Sequence, residues 1–147
     1  MGTSRTGVAV LVVALLAGGA ASCGKRDDVG APAVGRNDYR KILPALCQAL
    51  SFADAGKTKQ ANAAYYDNAH FGLHGLAADV AAKDSVLGGR LFRQHAKVEG
   101  DLSSFAPALS VDLHALIDVT ATGLVRLGVP AKDCLGAPVT SKTASRS

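Results

Sequence analysis

The sequence predicts an all-α fold: a single up-down-up-down four-helix bundle that is closed by one disulfide. Apolar residues, mostly Ala and Leu, recur every three or four positions over about 100 residues, which is the period of an amphipathic helix. No run of alternating β-branched residues indicates a strand. Short connections between the periodic segments favour consecutive helices that pack side by side.

The first helix is predicted from about Asp38 to Asp54, and Gly56 is a suitable residue to end it. Pro44 lies inside this segment. Proline has no backbone N–H, so this helix either kinks at Pro44 or begins later. Its apolar face consists of Tyr39, Ile42, Leu43, Leu46, Cys47 and Leu50.

Three more helices follow in the prediction. The second and longest spans about Thr58 to Lys83, and the third spans about Ser85 to Leu102, although the pair Gly88–Gly89 weakens its first turns. The fourth begins near Ser110 and ends at the segment GVPAKDC.

The N-terminal segment is typical of an export signal. One Arg is followed by an apolar run from Val8 to Leu16, which is too short to span a bilayer, and then by the small residues AGGAAS. A Cys directly after small residues resembles the lipobox of bacterial lipoproteins. The resemblance covers only residues 1–23, and Ala20 stands where Leu is commonest. It implies cleavage before Cys23 and attachment of lipid to its thiol.

This resemblance implies a chain anchored by lipid on the extracytoplasmic side of a cell membrane or outer membrane. Residues 1–22 would be the signal peptide and residues 23–37 a flexible tether, because that segment is rich in Gly, Pro and charge. The helical domain would span residues 38–136. Residues 137–147 are small and polar and are predicted to form a disordered tail.

Cysteine content agrees with an exported protein. If Cys23 carries lipid, Cys47 and Cys134 remain, and two cysteines in an oxidising compartment are expected to pair. The alternative is two buried free thiols. Such a bridge would join the first helix to the end of the last.

The segment YYDNAHFGLH contains a candidate metal site. Asp67, His70 and His74 lie on one shoulder of the predicted second helix, where they could present one carboxylate and two imidazoles over two turns. The third helix adds His95 and Glu99, four residues apart, and Glu99 is the only Glu in the chain. Imidazole and carboxylate groups suit Zn, Cu, Fe or Ni. Polar side chains on a helix shoulder are, however, also ordinary surface residues.

These observations predict a membrane-anchored binding or interaction module of the cell envelope, whose partner is an unknown envelope protein or small ligand. The alternative is a transition-metal-binding bundle that uses the five residues named above. No catalytic motif is visible, so neither an enzyme nor a cofactor other than that metal is predicted. The export signal excludes nucleic acid as a partner.

Overall fold

The computed structural model describes residues 39–140. The predicted signal peptide, Cys23, the predicted tether and residues 141–147 lie outside this part of the chain. The described residues form five helices and one short antiparallel bridge, between Lys132 and Pro138. The helices are α1 (Tyr39–Asp54), α2 (Thr58–Asn68), α3 (His70–Ala81), α4 (Ser85–Ser104) and α5 (Leu109–Arg126).

The prediction of an all-α fold is confirmed, but the prediction of four helices is wrong. The segment expected to form one long second helix is divided at Ala69, whose φ and ψ are −115° and −40°. Backbone hydrogen bonds from Ala69 to Tyr65 and from Leu73 to Ala69 bracket the break. α2 packs mainly on α1, whereas α3 packs mainly on α4. The two halves of the segment therefore pack against different helices.

The core lies between these helix pairs and is made largely of Leu and Ala, with Tyr65 its largest fully buried side chain. Close contacts between helices depend on glycine at two positions. A Cβ at Gly72 would lie 2.9 Å from the side chain of Ile42, and a Cβ at Gly88 would lie 2.5 Å from Ala81. The second contact draws the end of α3 against the start of α4.

Helix ends follow the expected signals. α1 runs without interruption through Pro44, so the helix does not begin after that residue. Gly56, with φ of +69°, ends the turn after α1, a left-handed conformation that costs glycine little. Asp84 caps α4, because its side chain accepts a hydrogen bond from the backbone N–H of Leu87 at 3.0 Å.

The predicted disulfide between Cys47 and Cys134 is confirmed, with a Cα–Cα distance of 5.4 Å. It attaches the segment after α5 to α1. Residues 137–140, which the sequence assigns to a tail, belong to this segment: Ala137 donates to the side chain of Asp133 at 2.8 Å, and Val139 donates to the carbonyl of Ala131 at 2.9 Å. No helix within residues 39–140 combines the length and apolar character that crossing a bilayer requires.

Candidate metal centre

α3 and α4 together place three imidazoles and one carboxylate around a single point. His70 and His74 come from α3, and His95 and Glu99 come from α4. One nitrogen or oxygen atom from each of the four residues lies within 4.8 Å of every other. Four of the five residues proposed from the sequence as metal ligands are thus neighbours in the fold.

Helix geometry explains this convergence. Side chains four residues apart lie one above the other on a helix, so each helix supplies two stacked groups. His70 is the first residue of α3, directly after the break at Ala69. The close contact at Gly88 holds α3 and α4 near enough for the two stacks to meet.

Two of the imidazole nitrogens approach the same carboxylate oxygen. His70 Nδ1 is 2.8 Å and His95 Nε2 is 3.7 Å from Glu99 Oε1. Neither contact is a hydrogen bond, and both nitrogens are buried without a hydrogen-bond partner. The short His70 distance therefore reflects proximity without an aligned N–H. A buried polar atom without a partner costs about 1–3 kcal/mol, so the arrangement is unfavourable unless another group completes it.

The electrostatics of the cluster favour neutral imidazole at His95. The pKa of His95 is lowered from 6.5 to about 4, chiefly by burial; the charge of Glu99 opposes this shift, and His74 and His70 contribute to it. A neutral imidazole has a lone pair available at neutral pH. Metal binding there does not require displacement of a proton from that side chain.

The cluster is open to solvent on one side. His95 is 2% exposed, while His74 is exposed and His70 is partly buried. Two exposed aromatic side chains stand beside the opening: Phe71 contacts His70 with ring centroids 5.0 Å apart, and Phe92 contacts His74 at 6.2 Å. An ion could therefore reach the site without unfolding of the helices.

Asp67 is not part of the group that the structure brings together. It is exposed on α2, where it lines a shallow depression with Gln48 and Phe52 of α1. The break at Ala69 separates Asp67 from His70, so the straight-helix geometry assumed from the sequence does not hold between them. The fourth histidine, His114, is exposed on α5 and also lies outside the cluster.

Tyr65 is a neighbour of the cluster and is not among the ligands predicted from the sequence. Its ring is fully buried and stacks on His95, with centroids 6.0 Å apart and planes inclined by 29°. Its hydroxyl is buried and has no hydrogen-bond partner. The sequence marks Tyr65 only as an aromatic residue at helical spacing, which is typical of core packing.

A second polar cluster lies between α4 and α5. Asp112 is 3% exposed, and its Oδ1 accepts a hydrogen bond from Lys97 Nζ at 2.7 Å. Gln94 Nε2 donates to the backbone carbonyl of Asp112 at 3.0 Å. Burial opposes ionisation of Asp112, but the hydrogen bond and charge of Lys97, together with the hydrogen bond from Gln94, outweigh it and lower the pKa of Asp112.

The chain matches no protein-family model, and neither the curated proteins nor the solved structures include a significant match to it. The chemistry of the site is therefore inferred from its own residues.

Proposed function

We propose that this protein binds a divalent transition-metal ion, Zn²⁺ or Cu²⁺, through His70, His74, His95 and Glu99, and that it does so on the outer side of a cell membrane. The observation that carries the proposal is the convergence of four ligand atoms within 4.8 Å of one another. Three imidazoles and one carboxylate form a donor set that such ions accept.

The distances fit an ion of this size. Zn²⁺ holds nitrogen and oxygen ligands at about 2.0–2.1 Å, so tetrahedral ligand atoms are separated by about 3.4 Å. The contacts of Glu99 Oε1 with His70 and His95, at 2.8 and 3.7 Å, lie on either side of that value. The widest separation in the cluster, up to 4.8 Å, requires a movement on the order of 1 Å, which side-chain rotation at the exposed His74 can supply.

The donor atoms also restrict the choice of metal. Both cysteines of the described domain are oxidised to the disulfide, and the single methionine is Met1. Without thiolate or thioether, the site does not favour soft ions such as Cu⁺. Mg²⁺ and Ca²⁺ prefer sites built of oxygen atoms. The ions that remain are divalent transition-metal ions of intermediate softness. Among them Cu²⁺ binds such sites most tightly, and Zn²⁺ can occupy the site where it is the more available ion.

An ion pair between protonated His70 and Glu99 is the simplest alternative to a metal. It would satisfy Glu99 but would leave Nε2 of His95 buried and without a partner. It would also give no reason for the third imidazole, that of His74, to lie within 4.8 Å of the same atoms. Metal binding accounts for all four groups.

The deciding experiment measures metal binding by the untagged mature domain and by a variant in which the exposed ligand His74 is replaced. We expect one equivalent of Zn²⁺ or Cu²⁺ in equilibrium dialysis against a metal buffer, and no stoichiometric binding of Mg²⁺. Replacing an outer-shell partner of a metal site costs about 10–100-fold in affinity, so loss of a ligand in His74→Ala should cost more than about 100-fold.

The matched control is His114→Ala, because His114 is equally an exposed helical histidine but lies outside the cluster. It should bind as the unmodified protein does. Equal affinity of the His74→Ala and His114→Ala variants, or absence of a stoichiometric ion in the unmodified protein, would overturn the proposed function.

The proposed location rests on the lipobox-like segment before Cys23. A lipid-anchored domain should partition with membranes, and Cys23→Ser should either release it or leave an uncleaved precursor. Fractionation that finds normal processing and unchanged membrane retention in Cys23→Ser would contradict the anchor while leaving the metal site unaffected.

A further inference from the structure

We propose that Tyr65 is a positioning residue of the metal centre, whose hydroxyl donates a hydrogen bond to the carboxylate of Glu99 when that carboxylate binds the ion. The inference rests on the proposed metal binding and adds an outer-shell partner to it. Metal-ligating groups are usually held by a second hydrogen bond from the protein, which fixes their orientation and raises their affinity for the ion.

The first argument is a buried hydroxyl that lacks a hydrogen-bond partner on a tyrosine whose ring packs against two of the proposed ligands. The hydroxyl of Tyr65 is buried without a partner, as are Nδ1 of His70 and Nε2 of His95. Three of the six unpartnered buried side-chain atoms within residues 39–140 thus belong to His70, to His95 and to the tyrosine that packs on both. In the same part of the chain, the only side-chain contacts that the Glu99 carboxylate makes with polar groups are those with the two imidazoles.

The second argument is the rigidity of the tyrosine. Tyr65 is 0% exposed, and its ring packs on His95, on His70 at a centroid distance of 6.2 Å, and edge-on against Tyr66 at 5.2 Å. A side chain held on several sides loses little further entropy when it forms a hydrogen bond. Tyr65 approaches the cluster from the protein interior, whereas His74 borders the solvent.

The chemistry of the phenol suits a donor. An ordinary phenol keeps its proton at neutral pH, because its reference pKa is about 10. When Glu99 gives one oxygen to the ion, the other oxygen is the acceptor that this proton requires.

The test compares Tyr65→Phe with the matched control Tyr66→Phe, using Cu²⁺ and Zn²⁺ themselves as probes in competition titrations. Both variants keep the aromatic ring and lose only a hydroxyl. Tyr65→Phe should weaken binding by about 10–100-fold, as expected for an outer-shell partner, and Tyr66→Phe should not. A ring that merely packs would leave the affinity unchanged in both variants.

Two further measurements exclude a general effect on packing. The chain has three Tyr and no Trp, so its near-ultraviolet absorption reports on tyrosine. Metal binding should perturb that band in the unmodified protein and in Tyr66→Phe, and more weakly in Tyr65→Phe, where only Tyr66 remains beside His70. In a Glu99→Gln background, Tyr65→Phe should cost less than about threefold in Cu²⁺ affinity, because residues that act through one another are not additive.

The outcomes separate the two proposals. If the unmodified protein takes up no ion, both the metal centre and the role of Tyr65 are lost. If it binds one ion and Tyr65→Phe binds it equally well, only the role of Tyr65 is overturned. A visible charge-transfer band between Cu²⁺ and phenolate would also overturn it, since Tyr65 would then be a ligand itself.

Discussion

Helix α4 carries a polar cluster on each side, and the two clusters differ in whether the protein satisfies them. Towards α5, Lys97 and Gln94 donate to Asp112. Towards α3, His95 and Glu99 meet two more imidazoles, yet the nitrogens of His70 and His95 that face Glu99 have no hydrogen-bond partner. On one side the protein's own side chains supply the donors to the central carboxylate, whereas the other side offers electron pairs to a cation.

The Asp112 cluster has one additional requirement. Oδ2 of Asp101 and Oδ2 of Asp112 are both buried without a partner. Burial and the adjacent Asp112 raise the pKa of Asp101. A single proton on Asp101 would satisfy both oxygens, so this side needs only a proton. The histidine side, with several lone pairs facing one point, needs an ion with several empty coordination positions.

The largest expected effect is stabilisation by metal. At free Zn²⁺ 1,000 times its Kd, the free energy of unfolding should rise by about 4 kcal/mol, because the ion binds only the folded state. In His74→Ala, a more than 100-fold weaker affinity would reduce this gain to about 1.4 kcal/mol or less at the same concentration. Urea unfolding in metal-buffered solution measures both values. An equal gain in the unmodified protein and in His74→Ala would mean that the histidine side of α4 does not bind the ion.

Acid should weaken the metal-free protein through the histidine side first. The pKa of His95 is lowered from 6.5 to about 4, so between these values the unfolded chain binds a proton that the folded chain does not. Stability is therefore present above pH 6.5 and is lost as the pH falls towards 4. The loss should be about 2 kcal/mol, since one pKa unit is worth about 1.4 kcal/mol and solvent near the site screens part of the shift.

A pH series of chemical unfolding in the presence of a chelator checks this expectation, with His95→Leu as the comparison. That variant should lose the step between pH 6.5 and 4. Asp112 contributes in a different range, because its lowered pKa gives stability that is lost only as the pH falls below 3.8. A step of the same size in His95→Leu would assign the acid sensitivity to other groups.

Removal of one polar residue from either side of α4 should change the free energy of unfolding by a smaller amount. The change should have opposite signs on the two sides. In the metal-free protein, His95→Leu replaces a buried group that lacks a partner by an apolar one of similar size, and should stabilise the fold by about 1 kcal/mol. Asp112→Ala removes the acceptor of Lys97 and should destabilise it by about 1–2 kcal/mol. Destabilisation by both substitutions, measured in urea with chelator, would mean that the histidine side is already satisfied.

Much of the fold could be predicted because its signals are local. The spacing of Leu and Ala marks the helical segments, and the two cysteines that remain if Cys23 carries lipid leave one pairing. The break at Ala69 could not be predicted, since the segment contains no proline there and the apolar stripe continues across it. That break results from packing on two different neighbours, and it also explains why Asp67 is separated from His70.

The candidate site, like the fold, could be predicted only in part. His70 with His74, and His95 with Glu99, could be predicted as pairs from their spacing of four. Their meeting depends on the close contact between Gly88 and Ala81, which the sequence shows only as an unfavourable residue in a helix. Tyr65 could not be assigned a role, because an unpartnered hydroxyl is a property of the packed interior and has no sequence signal.

The disulfide has a consequence for damage as well as for folding. Cys47 and Cys134 are 87 residues apart, so their bond closes a covalent ring that contains α2, α3, α4 and α5. A protease that cuts once within this ring, for example at the exposed Phe105, opens the ring but does not divide the molecule. Even a cut at residues 82–84, between the two helices that carry the histidines, leaves both attached. Fragments would separate only after reduction.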